Sequence, residues 1–262
     1  MGGSYLKNIL IGLLLSFQFF TSLPIQKQLP MNKKSITAMY STMPILGILM
    51  GSTIASLVFI NEHFFEFSNL LLAICLVVAT IVMSGGLHLD GWIDMGDAYF
   101  SYQDQKRRLE ILEDSRVGAF GAISLVVLTL LKVAFIYEVL LKFEPNTYLF
   151  FIGIPFLSRI AILIYFLNTK PVKEKGLAAY FKSQVIHKRV WIAIALYLLL
   201  LTFLSYSFSI SQLPILLIAI VVFVYLYRKW TIKNFGGMTG DLIGALYEGA
   251  ELFLWVILLF CI

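Results

Sequence analysis

The sequence predicts an all-α protein, a polytopic membrane bundle of about seven or eight transmembrane helices. Three observations predict it. The composition is 60% hydrophobic and 13% charged, whereas soluble domains are roughly half apolar and a quarter charged. The apolar runs are long and unbroken, unlike the alternating strands of a membrane β-barrel. The Lys and Arg residues crowd into alternate linkers, the bias shown by helical membrane proteins.

The candidate spans follow in order: residues 7–23, 36–60, 69–84, 117–141, 147–167, 189–207, 213–227 and 242–262. The first ends in "TSLPI" and reads equally well as an interfacial or re-entrant segment. No small-x-small site follows it, so a cleavable leader is not expected. Of the 20 Lys and Arg residues, all but Lys7, Lys132, Lys142 and Arg159 lie in linkers 24–35, 85–116, 168–189 and 228–240. The positive-inside bias assigns those linkers to the cytoplasm. All six aspartates lie on the same linkers or at their edges. The sequence shows no repeat and no separate soluble domain, so residues 1–262 are expected to be a single membrane catalytic domain. The two cysteines, Cys75 and Cys261, sit in apolar runs and read as small hydrophobes.

Chemistry is concentrated in "SGGLHLDGWIDMGDAYF", residues 84–100. Asp90, Asp94 and Asp97 are spaced i, i+4, i+7, which stacks them along one helix face. Like charges on one stripe call for a cation or strong donors. Oxygen-only ligands favour Mg²⁺ or Mn²⁺ over zinc, and Mg²⁺ favours a site completed by substrate phosphates. His88 is a candidate donor or ligand and equally a structural hydrogen-bonder. The alternative for the aspartates is that they cap and solvate a helix end. A short amphipathic surface helix is expected at 103–113. Beyond it, Asp114 is a further candidate ligand. Arg116 suits a bidentate phosphate grip or, almost equally, a local ion pair.

Two basic residues fall inside spans, Lys132 and Arg159. Such charges need an interior partner or a ligand. Glu138 is out of phase with Lys132, so another helix should supply that partner. Arg159 sits within reach of a substrate phosphate or of the interface by snorkelling. The last motif is "NFGGMTGDLIGALYEGAEL". Thr239, Gly240 and Asp241 suit phosphate at a helix N-terminus, while Asp241 is equally an ordinary N-cap. Glu248 and Glu251 lie deeper in apolar sequence, which favours a buried role for at least one.

The segments "GGLHLDGWIDMGDA", "ILEDSRVGAFG" and "GGMTGDLIGALYE" together resemble the cobalamin synthase family (adenosylcobinamide-GDP ribazoletransferase). The resemblance covers nearly the whole chain, in the expected order. It implies a Mg²⁺-dependent enzyme of the bacterial or archaeal cytoplasmic membrane, multi-pass, with its site facing the cytoplasm. The implied reaction joins adenosylcobinamide-GDP, a nucleotide-activated corrinoid, to α-ribazole or its 5′-phosphate and releases GMP. Carried over, Asp90, Asp94 and Asp97 fall on the family's acidic motif, Asp114 and Arg116 on its second, and Thr239, Gly240, Asp241 and Glu248 on its third. Together with the reading of the residues above, this makes Asp90, Asp94, Asp97 and Asp114 the expected metal ligands. Asp94, Asp97, Arg116 and Lys132 are the expected catalytic groups. His88, Arg159, Thr239, Gly240, Asp241 and Glu248 are the expected substrate contacts. The expected partners are these small molecules and the lipid bilayer, with no nucleic acid; a homo-oligomer stays open.

Two other readings compete. A CDP-alcohol phosphotransferase-like lipid synthase uses the same logic of aspartates, Mg²⁺ and nucleotide release. Its D-x-x-D-G opening differs from the D-G-x-x-D-x-x-D found here. A cation-coupled transporter would place its acids near the midplane, whereas most of these gather at one mouth.

Overall fold

The computed structural model describes residues 2–262, with side chains from Leu6 onward. Helix α1 (Gly2–Phe20) packs along α2 (Lys33–Ile60). Asn32 starts α2 by accepting from the amides of Lys34 and Ser35. A π-turn, Asn61–Phe65, prolongs α2 into one apolar helix of 33 residues. Helix α3 (Asn69–Ser84) begins at the Ser68 cap. It stops at Gly85 and Gly86, whose φ values of +64° and +75° place both in the left-handed region. Glycine adopts that region without the penalty other residues carry. The chain turns by 96° there into α4 (Leu87–Phe100). Helix α4 then packs between α6 and α11.

Helix α5 (Gln105–Ile111) is the expected amphipathic segment, trimmed to seven residues by the Asp104 cap and the turn after Ile111. Helices α6 (Ala119–Leu141), α7 (Thr147–Asn168), α8 (Leu177–Gln184), α9 (His187–Ser207), α10 (Gln212–Phe235) and α11 (Gly240–Leu259) complete the order. Helix α7 is the axis of the bundle and is buried along most of its length. It meets α2 backbone to backbone: a Cβ added at Gly47 or Gly51 would come within 2.8 or 2.7 Å of α7 main-chain atoms.

Among the described residues, six helices are individually long and apolar enough to cross a membrane, and the bent α3–α4 pair passes the same test only when taken as one broken span. The 6–20 part of α1 is apolar but shorter. The protein is therefore a multi-pass helical membrane bundle. Two elements differ from expectation. Helix α10 continues past residue 227 although Arg228, Lys229 and Lys233 end the apolar run, because Thr231 and Phe235 keep a buried face. Helix α8 was hidden in a linker because eight residues are too few to show a period.

Candidate active site

The acidic helix α4 is seated by close contacts. A Cβ on Gly91 would lie 2.4 Å from the Asp241 carbonyl oxygen, so α4 rests directly on the start of α11. On the other side, the Trp92 Nε1–H donates to the Ser124 carbonyl of α6 at 3.1 Å. These contacts bring the aspartates of α4 into the field of Asp241. Asp94 lies in the shared field of Asp90, Asp241 and Asp97.

Asp97 has a different position. Its two oxygens accept the backbone N–H groups of Gly118 and Gly121, each at 2.7 Å. It is thus the cap of α6, supplied from a neighbouring helix, where the first-turn amides have no partners of their own. Asp114 and Arg116 form a local fork: Nε donates to Oδ1 at 2.9 Å and Nη2 to Oδ2 at 2.6 Å. Those hydrogen bonds hold the Asp114 carboxyl down at about 2. The Arg116 side chain is 87% exposed.

The glycine-rich loop before α11 is pinned to the loop after α7 by an isolated parallel bridge. Met238 donates to the Lys170 carbonyl at 2.9 Å and accepts from Val172 at 3.0 Å. Thr239 then caps α11 through the Leu242 amide. Between these loops, α1, α2, α4 and α8 lies a cavity of about 430 Å³. His88, Asp90, Thr239, Gly240 and Asp241 line one part of it, and Phe19, Phe20, Tyr40 and Phe181 another. Lys173, ion-paired with Glu113, and Lys175 stand on its outer wall.

Behind the cavity is a buried polar chain. Arg159 is fully buried and donates through Nη1 to His88 Nε2 at 2.7 Å. Arginine only donates, so Nε2 accepts and the imidazole proton resides on Nδ1. The Arg159 guanidinium also lies over the Tyr247 ring, 4.3 Å from its centroid. The Tyr247 hydroxyl donates to Glu251. Lys132 donates to Glu251 at 2.8 Å and to Glu248. The partner of Lys132 does come from another helix, as its sequence phase required.

The structure thus brings His88, Asp90, Thr239, Gly240 and Asp241 to one cavity, with Asp94 in their field. Asp97 goes to the α6 cap, and Asp114 and Arg116 to an exposed pair. Lys132 and Glu248 join the buried ion cluster, and Arg159 stands behind His88. Among the described residues, no group of three or more His, Cys, Asp and Glu side chains forms a ready metal cage. The sequence reasoning missed the aromatic wall. Phe19 and Phe20 lie in the ambiguous first segment, and Phe181 ends the linker stretch "KGLAAYF", which resembles the family but carries no sign of a cavity wall.

The fold and site define a class: a multi-pass helical membrane protein with carboxylates on two helices converging on a cavity at the lysine- and arginine-rich end of the bundle. The chain belongs to the cobalamin-5-phosphate synthase family, transferases of cobalamin biosynthesis, which it matches over residues 12–259. It is 38% identical to an adenosylcobinamide-GDP ribazoletransferase of Geobacillus sp. (strain WCH70), over 93% of each chain. A protein of the same name from Halalkalibacterium halodurans is 37% identical over 97% of each chain. A third, from Geobacillus thermodenitrificans, is 34% identical over 93% of each. No solved structure matches the chain.

Proposed function

We propose that this chain joins adenosylcobinamide-GDP to α-ribazole or its 5′-phosphate, giving adenosylcobalamin or its 5′-phosphate and GMP. We place the reaction at the cytoplasmic face of a bacterial inner membrane. The observation that carries the proposal is the meeting of Asp90 and Asp241 from two helices in one cavity, with Asp94 crowded by both.

The donor set suits Mg²⁺. Asp90 and Asp241 offer carboxylate oxygens to the cavity, and Mg²⁺ favours one or two carboxylates completed by phosphate and water. Asp90 and Asp241 would hold the ion, with Asp94 beside them. When bound, Mg²⁺ would offset charge on the diphosphate. The chain's own residues account for the rest. The ribose hydroxyl oxygen of the ribazole attacks the phosphorus attached to cobinamide. The bond from that phosphorus to the GMP oxygen breaks, and GMP leaves with the electron pair. Asp94 takes the hydroxyl proton, a task open to a carboxylate beside the ion. Thr239 and Gly240 border the diphosphate at the start of α11, and the Nδ1–H of His88 orients it.

The test is GMP release by the purified protein from adenosylcobinamide-GDP and α-ribazole. Turnover that stops in chelator and returns with Mg²⁺ is expected, as is a loss of roughly 100-fold or more in Asp90→Asn and Asp94→Asn. Undiminished turnover in chelator, or in both variants, would reject the reading. Release of GMP is also the result that a transporter could not give.

A further inference from the structure

The cavity has an uneven character. It holds the carboxylates Asp90 and Asp241, and it also has an aromatic wall drawn from three separate helices, which Phe20 joins to His88 by stacking at 6.4 Å. Phe19 of α1 meets Phe181 of α8 edge to face, with centroids 5.4 Å apart. Phe181 meets Tyr40 of α2 edge to face at 6.1 Å. Tyr40 is fixed from behind by stacking on Phe166 at 4.2 Å. Phe181 is 5% exposed and Tyr40 3%, so neither ring is a stray surface aromatic. No described residue hydrogen-bonds the Tyr40 hydroxyl, and its oxygen is not fully buried, so it is open to a partner from within the cavity. A wall of fixed rings with one unpartnered donor suits a flat aromatic ligand that carries an acceptor.

We infer that this wall is the subsite for the aromatic base of the ribazole substrate. The inference rests on the transferase reading above and assigns one end of the cavity to one of the two substrates. A ribazole is a fused bicyclic base joined to ribose, with one ring nitrogen unsubstituted. The base stacks among Phe19, Tyr40 and Phe181, and the Tyr40 hydroxyl donates to the free nitrogen. The ribose then extends toward Asp90 and Asp241, where its hydroxyl is needed for attack. The size agrees. About 430 Å³ lies in the lower half of the range for small-molecule pockets. A bicyclic nucleoside fits such a space, while a corrin ring with its amide side chains does not. The corrinoid therefore stays outside and presents only its diphosphate to the acidic side.

The experiment uses the full-length protein in detergent with Phe181→Leu and Tyr40→Phe. Leucine keeps an apolar side chain and removes the ring; phenylalanine keeps the ring and removes only the hydroxyl. Each variant is expected to raise KM for α-ribazole roughly 2- to 10-fold, with KM for adenosylcobinamide-GDP unchanged. With an indole riboside, which lacks the free nitrogen, Tyr40→Phe is expected to have no effect. Direct calorimetric binding of α-ribazole, without the corrinoid, gives the same ranking independently of turnover. An unchanged ribazole KM and affinity in both variants, or a rise in KM for the corrinoid instead, overturns the assignment. If the wild type releases no GMP, the transferase reading fails, while calorimetry still decides whether the wall binds the base.

Discussion

The buried ion cluster gives the sharpest stability prediction. The Lys132 side chain is 6% exposed, Glu248 6% and Glu251 5%. Lys132→Met would leave two carboxylates facing one another in an apolar helix interface, with only the Tyr247 hydroxyl still donating to Glu251. Stranding a buried charge by deleting its partner costs about 3–5 kcal/mol. Neutralising the whole cluster avoids most of that cost, because neither charge is left unpaired. The triple variant Lys132→Met, Glu248→Gln, Glu251→Gln is therefore expected within about 2 kcal/mol of the parent, although it carries more changes. Reversible unfolding in mixed micelles, followed by tryptophan fluorescence, measures both. A Lys132→Met protein within about 1 kcal/mol of the parent would refute the reasoning. So would a triple variant as unstable as the single one. GMP release by the triple variant then separates the roles: recovered activity with recovered stability makes Lys132 structural, and stability without activity returns it to the chemistry.

Three further outcomes are expected. Asp97→Asn removes a charge-assisted cap from two α6 amides and should destabilise by about 1–2 kcal/mol in the same assay, with the affinity for α-ribazole unchanged. Gly91→Ala drives a methyl group against the Asp241 carbonyl; calorimetry should show about 1–3 kcal/mol of destabilisation from overpacking, and GMP release should fall as Asp90 moves from Asp241. Lys182, half-buried on α8 and donating to the Phe166 carbonyl, is held down at about 8 by burial, below the ordinary 10.5. Between those values the unfolded chain binds more protons than the folded one, so stability should rise with pH across that window. Lys182→Met should remove this rise.

The bundle was legible because a spanning helix leaves a long apolar record. The basic linkers and the acidic stripe were legible for the same reason, as interruptions of that record. Periodicity placed Asp90, Asp94 and Asp97 on one face, yet it could not show that Asp97 turns to the amides of Gly118 and Gly121. Such caps are made between helices, and sequence spacing reports only within one. The same limit hid Glu251 as the second partner of Lys132 and the stacking of Arg159 on Tyr247. The aromatic wall was invisible for a different reason: in a chain with 22 Phe and 13 Tyr residues, rings that line a cavity do not stand out from rings that face lipid.

The paired glycines at 85 and 86 split one stretch of sequence into two helices with different neighbours. A straight continuation would carry the 14 residues of α4 onward along the line of α3. Bent by 96°, they pass instead between α6 and α11, where Asp97 reaches the amides of Gly118 and Gly121 and Gly91 rests on Asp241. One corner thus lets a single short helix tie the start of one span to the start of another.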